Sequence, residues 1–345
     1  MIVAAEVTTV AIVLCILAIL AHNRPAPAVA GGARDPKGGG TEPIAVIDEP
    51  NGHAPPPTQP GPVPGTTPAA TQTALTAQEA RRALDSGKAL LASGKLLEAR
   101  TQLSRAVFSG RLAPAEEAQA VAAAAEAANK TILSRELIEG DPYNVPYMVQ
   151  AGQTLAGAKG IEMTERLHVP ERLLLKVNGL ARGADMRPGR TIKLIRGPFH
   201  AVVYKGRFLM DLHLQRDDQE KVFIRRVPVG LGRNGSTPVG AWRVKWGEKK
   251  ERPTYTATEG SGLPVGKIVL FGEPGYPFGT KALWISLEGT DPQTKTITDF
   301  GIHSTNDPAS IGKANSLGCV RMADNDIDLV FSLLYDVHSR VDVVP

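Results

Sequence analysis

FGIHSTNDPASIGKANSLGCVRM, residues 300–322, holds His303 and Cys319 16 positions apart. The chain has two cysteines, and the other, Cys15, lies in an apolar run, so Cys319 has no soluble partner for a disulfide. An unpaired thiol in an exported chain indicates a catalytic nucleophile, with an imidazole as the usual activator of the thiolate. Gly318 permits a tight turn and leaves backbone N–H groups open to a developing oxyanion. The alternative is that His303 and Cys319 are packing residues, since free cysteine is commonly a small buried apolar group.

Two motifs within this stretch resemble the L,D-transpeptidase (YkuD-like) catalytic domain. They read Ile302-His303-Ser304-Thr305 and Ser316-Leu317-Gly318-Cys319-Val320-Arg321-Met322. The family has Ile-His-Gly-Thr and Ser-His-Gly-Cys-Ile-Arg-Met in the same order and at about this spacing. Ser304 stands where the family has glycine, and Leu317 stands where it has histidine. The resemblance extends over residues 198–345.

The resemblance implies a role for each polar residue of the two motifs. Cys319 would be the nucleophile and His303 the base, with the backbone carbonyl of Ser304 orienting the imidazole. The N–H groups around Gly318 and Cys319 would bind the oxyanion. Arg321 is expected to bind a substrate carboxylate, with a structural ion pair as the alternative. Further substrate contacts, or caps of the turn, are expected from Ser316 and Asn315.

The resemblance also implies a reaction on peptidoglycan. Cys319 would attack the L-centre carbonyl of the diamino acid in a stem peptide and expel the terminal D-alanine. An amine from a neighbouring stem would then resolve the acyl-enzyme and form a 3-3 cross-link. A lipoprotein or water is the alternative acceptor, and water would make the protein an L,D-carboxypeptidase. No cofactor and no metal is expected.

Two other function classes remain open beside this one. The first is a cysteine peptidase of the NlpC/P60 kind, but that class has cysteine before histidine, whereas His303 precedes Cys319 here. The second is a wall-binding protein with weak or no catalysis, which Leu317 keeps open.

Composition limits the partners that the chain can have. It has 345 residues, 21% of them charged and 42% hydrophobic, with a net charge of +4 and a pI near 9.0. This mild positive charge suits an anionic surface such as a cell wall, and the absence of a run of five basic residues argues against nucleic acid. Two cysteines and seven histidines do not form a zinc-binding pattern.

The N-terminal residues predict export. Val7–Ala21 is free of charge, and as a helix it would span about 22 Å, short of the roughly 30 Å hydrocarbon core. Residues 1–24 are therefore expected to be a signal peptide or a membrane anchor, which places the protein at the cell envelope, outside the cytoplasm. Residues 25–75 contain 12 of the 27 prolines and are expected to be a disordered linker.

Residues 76–140 are expected to form a small all-α region. Thr76-Ala77-Gln78-Glu79 is a capping box, and the pattern predicts helices near 77–92, 95–109 and 114–138. Small residues at Gly87 and Ala99 resemble one tetratricopeptide repeat, with helices in contact there. One repeat is below the three that a solenoid needs, so we expect a spacer, with a protein-binding region as the alternative.

Residues 145–196 resemble a LysM domain, a βααβ module that binds glycans containing N-acetylglucosamine. Three segments carry the resemblance: Tyr147–Leu155, Asn178–Leu180 and Met186–Ile192. The alternative is a LysM fold that packs on the neighbouring domain and binds no sugar. The catalytic domain, residues 198–345, is expected to be an all-β, sandwich-like fold with one helix at Asp324–Leu334.

Overall fold

The computed structural model of the protein describes residues 75–216 and 219–345. The predicted signal segment and nearly all of the predicted linker lie outside these residues. Within the part that is described, no helix is both long and apolar enough to cross a membrane. The described chain begins with three helices, α1 (Ala77–Ala92), α2 (Leu96–Phe108) and α3 (Pro114–Ala128).

The first two helices and the capping box confirm the prediction. Thr76 Oγ1 accepts a hydrogen bond from the Glu79 N–H at 3.2 Å, and Glu79 Oε2 accepts one from the Thr76 N–H at 2.7 Å. The Cβ of an alanine at position 87 would lie 2.6 Å from Leu103 Cγ, so glycine lets α1 and α2 approach closely. These contacts explain the small residues that the sequence has where the helices meet.

The third helix ends earlier than predicted. It stops at Ala128 and continues as a short π-helical segment, Asn129–Leu133, instead of reaching residue 138. Lys193 satisfies the carbonyls beyond this end, because its buried ammonium donates hydrogen bonds to the oxygens of Thr131, Ser134 and Glu136 at 2.6, 3.1 and 2.8 Å. Carbonyls at the end of a helix need such partners, since no further turn follows to satisfy them.

The next segment has the predicted βααβ order. It consists of β1 (Asn144–Met148), α4 (Gly157–Leu167), α5 (Glu171–Asn178) and β2 (Thr191–Ile195), and β1 pairs antiparallel with β2. Its buried residues, among them Leu174 and Ile195, belong to the same hydrophobic cluster as the core of the domain that follows. The segment is thus packed onto the C-terminal domain.

The C-terminal domain is built on one mixed sheet of eight strands. In chain order these strands are β3 (Phe199–Tyr204), β4 (Leu209–Leu214), β5 (Val222–Pro228), β7 (Gly240–Glu251), β10 (Leu283–Gly289), β11 (Gly301–Ser304), β13 (Val320–Met322) and β14 (Arg340–Val344). Their order across the sheet is β13-β11-β10-β7-β14-β3-β4-β5. Two-stranded sheets join β6 (Leu231–Gly232) to β12 (Ala314–Ser316) and β8 (Tyr255–Thr256) to β9 (Ile268–Val269).

The expected β-rich domain is confirmed, and hydrogen bonds join the main strands of its sandwich-like prediction into one mixed sheet. The long strand β7 pairs with β14 through its first residues and with β10 along most of its length, including a bulge opposite Ile285 to Leu287. Strands that a sandwich would divide between two sheets are therefore hydrogen-bonded into one. The predicted helix is confirmed as α6 (Asp324–Leu333), and it packs against β10 and β11.

The N-terminal helices cover one edge of this sheet. Strand β5 is the outermost strand, and the N–H of Phe223 donates to Ser104 Oγ of α2 at 3.0 Å. Phe223 is buried in the hydrophobic cluster of the helices. Glu117 of α3 forms ion pairs with Arg207 and Arg226 of the C-terminal domain. The helical region is therefore part of the folded unit, because it satisfies and buries an edge strand.

A buried ion pair lies where the helices meet the βααβ segment. Arg100 donates two hydrogen bonds to the Asp141 carboxylate, at 2.7 and 3.0 Å, and their side chains are 5% and 0% exposed. Asp141 also accepts from the N–H of Tyr143 at 3.0 Å. A buried charge without its partner is costly, so each member of this pair depends on the other.

We expect Asp141→Ala to lower the free energy of unfolding by about 3–5 kcal/mol, because it leaves the Arg100 guanidinium buried and unpaired. Urea denaturation followed by circular dichroism measures the change. The control is Glu126→Ala, which breaks an exposed pair with Lys130 and should cost less than about 1 kcal/mol. Equal losses in the two variants would contradict the prediction.

Candidate active site

Two adjacent parallel strands bring the predicted catalytic residues to one face of the sheet. Strand β11 pairs with β13 so that Ile302 lies opposite Val320 and His303 lies opposite Arg321. Ile302 and Val320 face the core and are fully buried. Because successive side chains of a strand point to opposite faces, His303, Cys319 and Arg321 share the other face. The structure thus places the imidazole and the thiol on neighbouring strands, on the same side.

The tautomer of His303 follows from its hydrogen bond. The Nδ1 atom lies 2.6 Å from the backbone oxygen of Ser304. A carbonyl oxygen only accepts hydrogen bonds, so Nδ1 carries the proton and Nε2 has a free lone pair. The imidazole is therefore held in the form that can take a proton from a thiol. The side chain of Ser304 has a different use, since its hydroxyl donates to the Phe278 carbonyl and accepts from the Leu283 N–H.

Two aromatic rings, which also contact each other, pack against the imidazole of His303. Trp284 stacks on His303 with ring centroids 5.3 Å apart and planes 15° apart, and Phe278 contacts it edge-on at 5.0 Å. Gly301 makes this stacking possible, because a Cβ there would lie 2.9 Å from the Trp284 ring and 2.7 Å from the Ile285 oxygen. The ring of His303 therefore has little freedom to rotate.

The resting pair is neutral. Burial lowers the pKa of His303 to about 4, although the hydrogen bond to Ser304 acts in the opposite direction. Burial raises the pKa of the Cys319 thiol to about 11, against a hydrogen bond from the backbone of Gly301 and the charge of Arg321. Thiol and imidazole, not thiolate and imidazolium, therefore dominate at pH 7. Proton transfer has to accompany attack on a substrate.

The turn before the nucleophile is held by Ser316. This residue is 2% exposed, and its hydroxyl donates to the Cys319 oxygen at 2.7 Å and accepts from the Gly318 N–H at 3.1 Å. The Ser316 hydroxyl thus caps the turn, which is the alternative that the sequence left open, and a substrate contact by this residue stays a prediction. The Gly318 N–H is engaged as well. Among the expected oxyanion donors, the Cys319 N–H makes no hydrogen bond to any residue that the structure describes.

The remaining predicted residues lie around the opening of the site. Arg321 is half-buried, and no described carboxylate forms an ion pair with its guanidinium. Asn315 is exposed on β12. Leu317 is 42% exposed and lies near Gly260, at the tip of the loop between β8 and β9. Arg321 and Asn315 thus lie where a ligand could reach them, and a substrate role for both stays a prediction.

Sequence reasoning missed three residues that shape the site. Trp284 and Phe278 lie 19 and 25 positions before His303, and only the pairing of Trp284 with His303 across β10 and β11 brings the rings together. Thr237 is the third of these residues, and it lies on a loop far from the turn in sequence. Its Oγ1 donates to the Gly318 oxygen at 2.8 Å. The Thr-Pro sequence at 237–238 was the one sequence feature that could have drawn attention to Thr237.

We expect Ser304→Ala to lower the free energy of unfolding by about 1–3 kcal/mol, because the Phe278 carbonyl and the Leu283 N–H lose their buried partner. Alkylation of Cys319 by iodoacetamide should be unchanged, since the backbone carbonyl, not the hydroxyl, holds the imidazole. Ser332→Ala is the control, because it removes a buried hydroxyl that makes one bond, to the Asp328 oxygen. A large fall in alkylation without a loss of stability would contradict this view of Ser304.

Comparisons with known proteins relate the C-terminal domain to one family. Residues 198–343 match the family model described as the YkuD L,D-transpeptidase catalytic domain. The chain is 27% identical over 204 residues to a putative L,D-transpeptidase YkuD of Bacillus licheniformis, covering 58% of this chain and 98% of that protein. It is 34% identical over 126 residues to a probable L,D-transpeptidase YbiS of Escherichia coli K12, covering 34% of this chain and 37% of that protein. An L,D-transpeptidase structure from Mycobacterium smegmatis aligns over 46% of this chain and 64% of its own, with 15% identity and a TM-score of 0.29.

Proposed function

Because residues 198–343 belong to the YkuD family of L,D-transpeptidase catalytic domains, we propose that this protein forms 3-3 cross-links in peptidoglycan through an acyl-enzyme on Cys319. One observation carries the proposal. The Ser304 carbonyl fixes the proton on Nδ1 of His303, which leaves Nε2 as a base on the strand face that also bears Cys319. A thiol with such a base is the arrangement that nucleophilic acyl transfer needs.

The neutral pair sets the order of events in this reaction. As Sγ of Cys319 bonds to the stem carbonyl, Nε2 of His303 takes the thiol proton. The imidazolium then gives that proton to the departing amine of the terminal D-alanine, and the acyl-enzyme remains. The incoming amine of a second stem loses a proton to His303 as it attacks the acyl carbonyl. The C–S bond then breaks, the imidazolium gives that proton to the departing Sγ, and the thiol is restored. The low pKa of His303 favours the step in which it releases the proton.

Arg321 is proposed to hold a carboxylate of the stem peptide. Its guanidinium faces the same side as Cys319 and makes no ion pair with a described carboxylate, which is the alternative that the sequence left open. A charged group that remains unpaired beside a nucleophile favours a role toward an anionic ligand. Asn315, exposed nearby, is proposed to add a hydrogen bond to the same ligand.

The remainder of the chain is proposed to serve the same reaction. The βααβ segment would bind glycan strands as a LysM module, and residues 1–24 would export the protein or anchor it to the membrane. Both roles would keep the enzyme at the wall face of the envelope. For the helical region, the contacts of Phe223 and Ser104 with each other favour a structural role over a groove for a protein partner.

Muropeptide mass spectrometry on purified sacculi, incubated with the full-length protein, tests the proposal. We expect new dimers joined by 3-3 bonds together with released D-alanine, and neither product with Cys319→Ala. Stems shortened by D-alanine without new dimers would replace cross-linking by carboxypeptidase activity. Unchanged sacculi would contradict both activities.

A further inference from the structure

Two hydroxyl groups hold the turn before Cys319 from opposite sides. Ser316 binds it from within, through the Gly318 N–H and the Cys319 oxygen. Thr237, on a different loop, binds it from outside, because its Oγ1 donates to the Gly318 oxygen at 2.8 Å. Thr237 is fully buried, so this bond is shielded from water.

Thr237 is itself held in place. Its Oγ1 accepts a hydrogen bond from the Gly232 N–H at 2.7 Å, so the hydroxyl proton is committed to the Gly318 oxygen. Its backbone oxygen accepts from Nζ of Lys205. The preceding residue, Ser236, is exposed and makes a longer contact, 3.3 Å, to the Leu317 oxygen. The threonine therefore supplies the short, buried contact between this loop and the turn.

The bond to the Gly318 oxygen also fixes the amide that follows. A trans peptide is planar, with its C=O and N–H pointing in opposite directions. Holding the Gly318 oxygen toward Thr237 therefore turns the Cys319 N–H away from Thr237. Gly318 has a φ of +153°, a value that favours glycine and lets the chain present this peptide. The Cys319 N–H has no partner among the residues that the structure describes.

We propose that Thr237 is a positioning residue that orients the Gly318–Cys319 peptide so that the Cys319 N–H stabilises the oxyanion of the acyl-transfer intermediates. This inference rests on the proposed acyl transfer by Cys319. The donor belongs to the nucleophile's own residue, so it lies beside any carbonyl that Sγ attacks. An N–H that is already oriented stabilises the developing charge without reorganisation during the reaction. Thr237 contacts neither the nucleophile nor the base, and it acts through the peptide that it holds.

The test compares two reactions of Cys319 in the full-length protein. Acylation by a carbapenem passes through an oxyanion, whereas alkylation by iodoacetamide displaces iodide at a saturated carbon and forms none. We expect Thr237→Val, which keeps the volume and removes the hydroxyl, to slow acylation about 100-fold and to leave alkylation unchanged. Thr237→Ser should restore acylation, and Ser236→Ala should leave both reactions unchanged. Mass spectrometry follows both adducts.

The outcomes separate this inference from the proposed function. If Thr237→Val is acylated as fast as the natural protein, the proposed role of Thr237 is overturned and the proposed function stays intact. An equal slowing of acylation and alkylation would also overturn it, because that result reports a general disturbance of the site. Absence of acylation in the natural protein would overturn the proposed function, and the inference with it. Thr237→Ala gives the same comparison if Thr237→Val does not fold.

Discussion

Cys319→Ala is expected to abolish covalent labelling of the protein by a carbapenem, the largest effect that we predict. The strained lactam carbonyl needs a sulfur nucleophile beside a base, and Cys319 is the cysteine that shares a strand face with His303. Cys319→Ser should react at least about 1,000-fold more slowly, because a hydroxyl is a much weaker nucleophile than a thiol assisted by imidazole. Intact-protein mass spectrometry measures the adduct.

Cys15→Ala is the matched control, because it removes the other thiol of the chain. Full labelling is expected in that variant. A complete adduct in Cys319→Ala would assign the nucleophile to another residue and end the proposal of acyl transfer at this site. Circular dichroism spectra that agree between the variants would exclude unfolding as the cause of lost labelling.

His303→Gln is expected to slow acylation by about 10²–10⁴-fold at pH 7, the usual contribution of a general base. It should also change the pH profile. In the natural protein, imidazole and thiol are both neutral between their pKa values of about 4 and about 11, so the rate should be flat from pH 6 to pH 9. As the pH falls through about 4 the imidazole is protonated, and activity should be lost.

Without the base, the variant depends on thiolate that forms spontaneously. Its thiolate fraction rises tenfold per pH unit below the thiol pKa, so its acylation rate should rise with the same slope from pH 7 to pH 9. His338→Gln is the control, because His338 stacks on His168 and Tyr335, away from the site. A flat profile in His303→Gln would show that another group takes the proton.

Local patterns determined much of what the sequence predicted. The capping box at Thr76, the first two helices and the helix that begins at Asp324 depend on neighbours within a few residues, and the structure confirms them. The family motifs predict that His303 and Cys319 lie close together. The parallel pairing of two short strands, which no local pattern reveals, puts both residues on one face of the sheet.

Contacts between distant residues determined what the sequence did not predict. The carbonyls beyond the end of α3 are capped by Lys193, some 60 positions away, and the stacking on His303 depends on the register of β10 and β11. The hydroxyl of Thr237 reaches the turn across 81 positions. Such features follow from which strands and loops become neighbours, and residue propensities carry little of that information.

The helices that pack on strand β5 limit where a stable recombinant fragment can begin. A recombinant fragment limited to residues 198–343 would lose α2 and α3, and with them the hydroxyl that binds the Phe223 N–H and the apolar contacts that bury its ring. An uncovered edge strand with an exposed phenylalanine favours pairing between molecules, and hence self-association and aggregation. The smallest soluble piece that retains the catalytic residues should therefore begin at Thr76, well before the boundary that family matching gives.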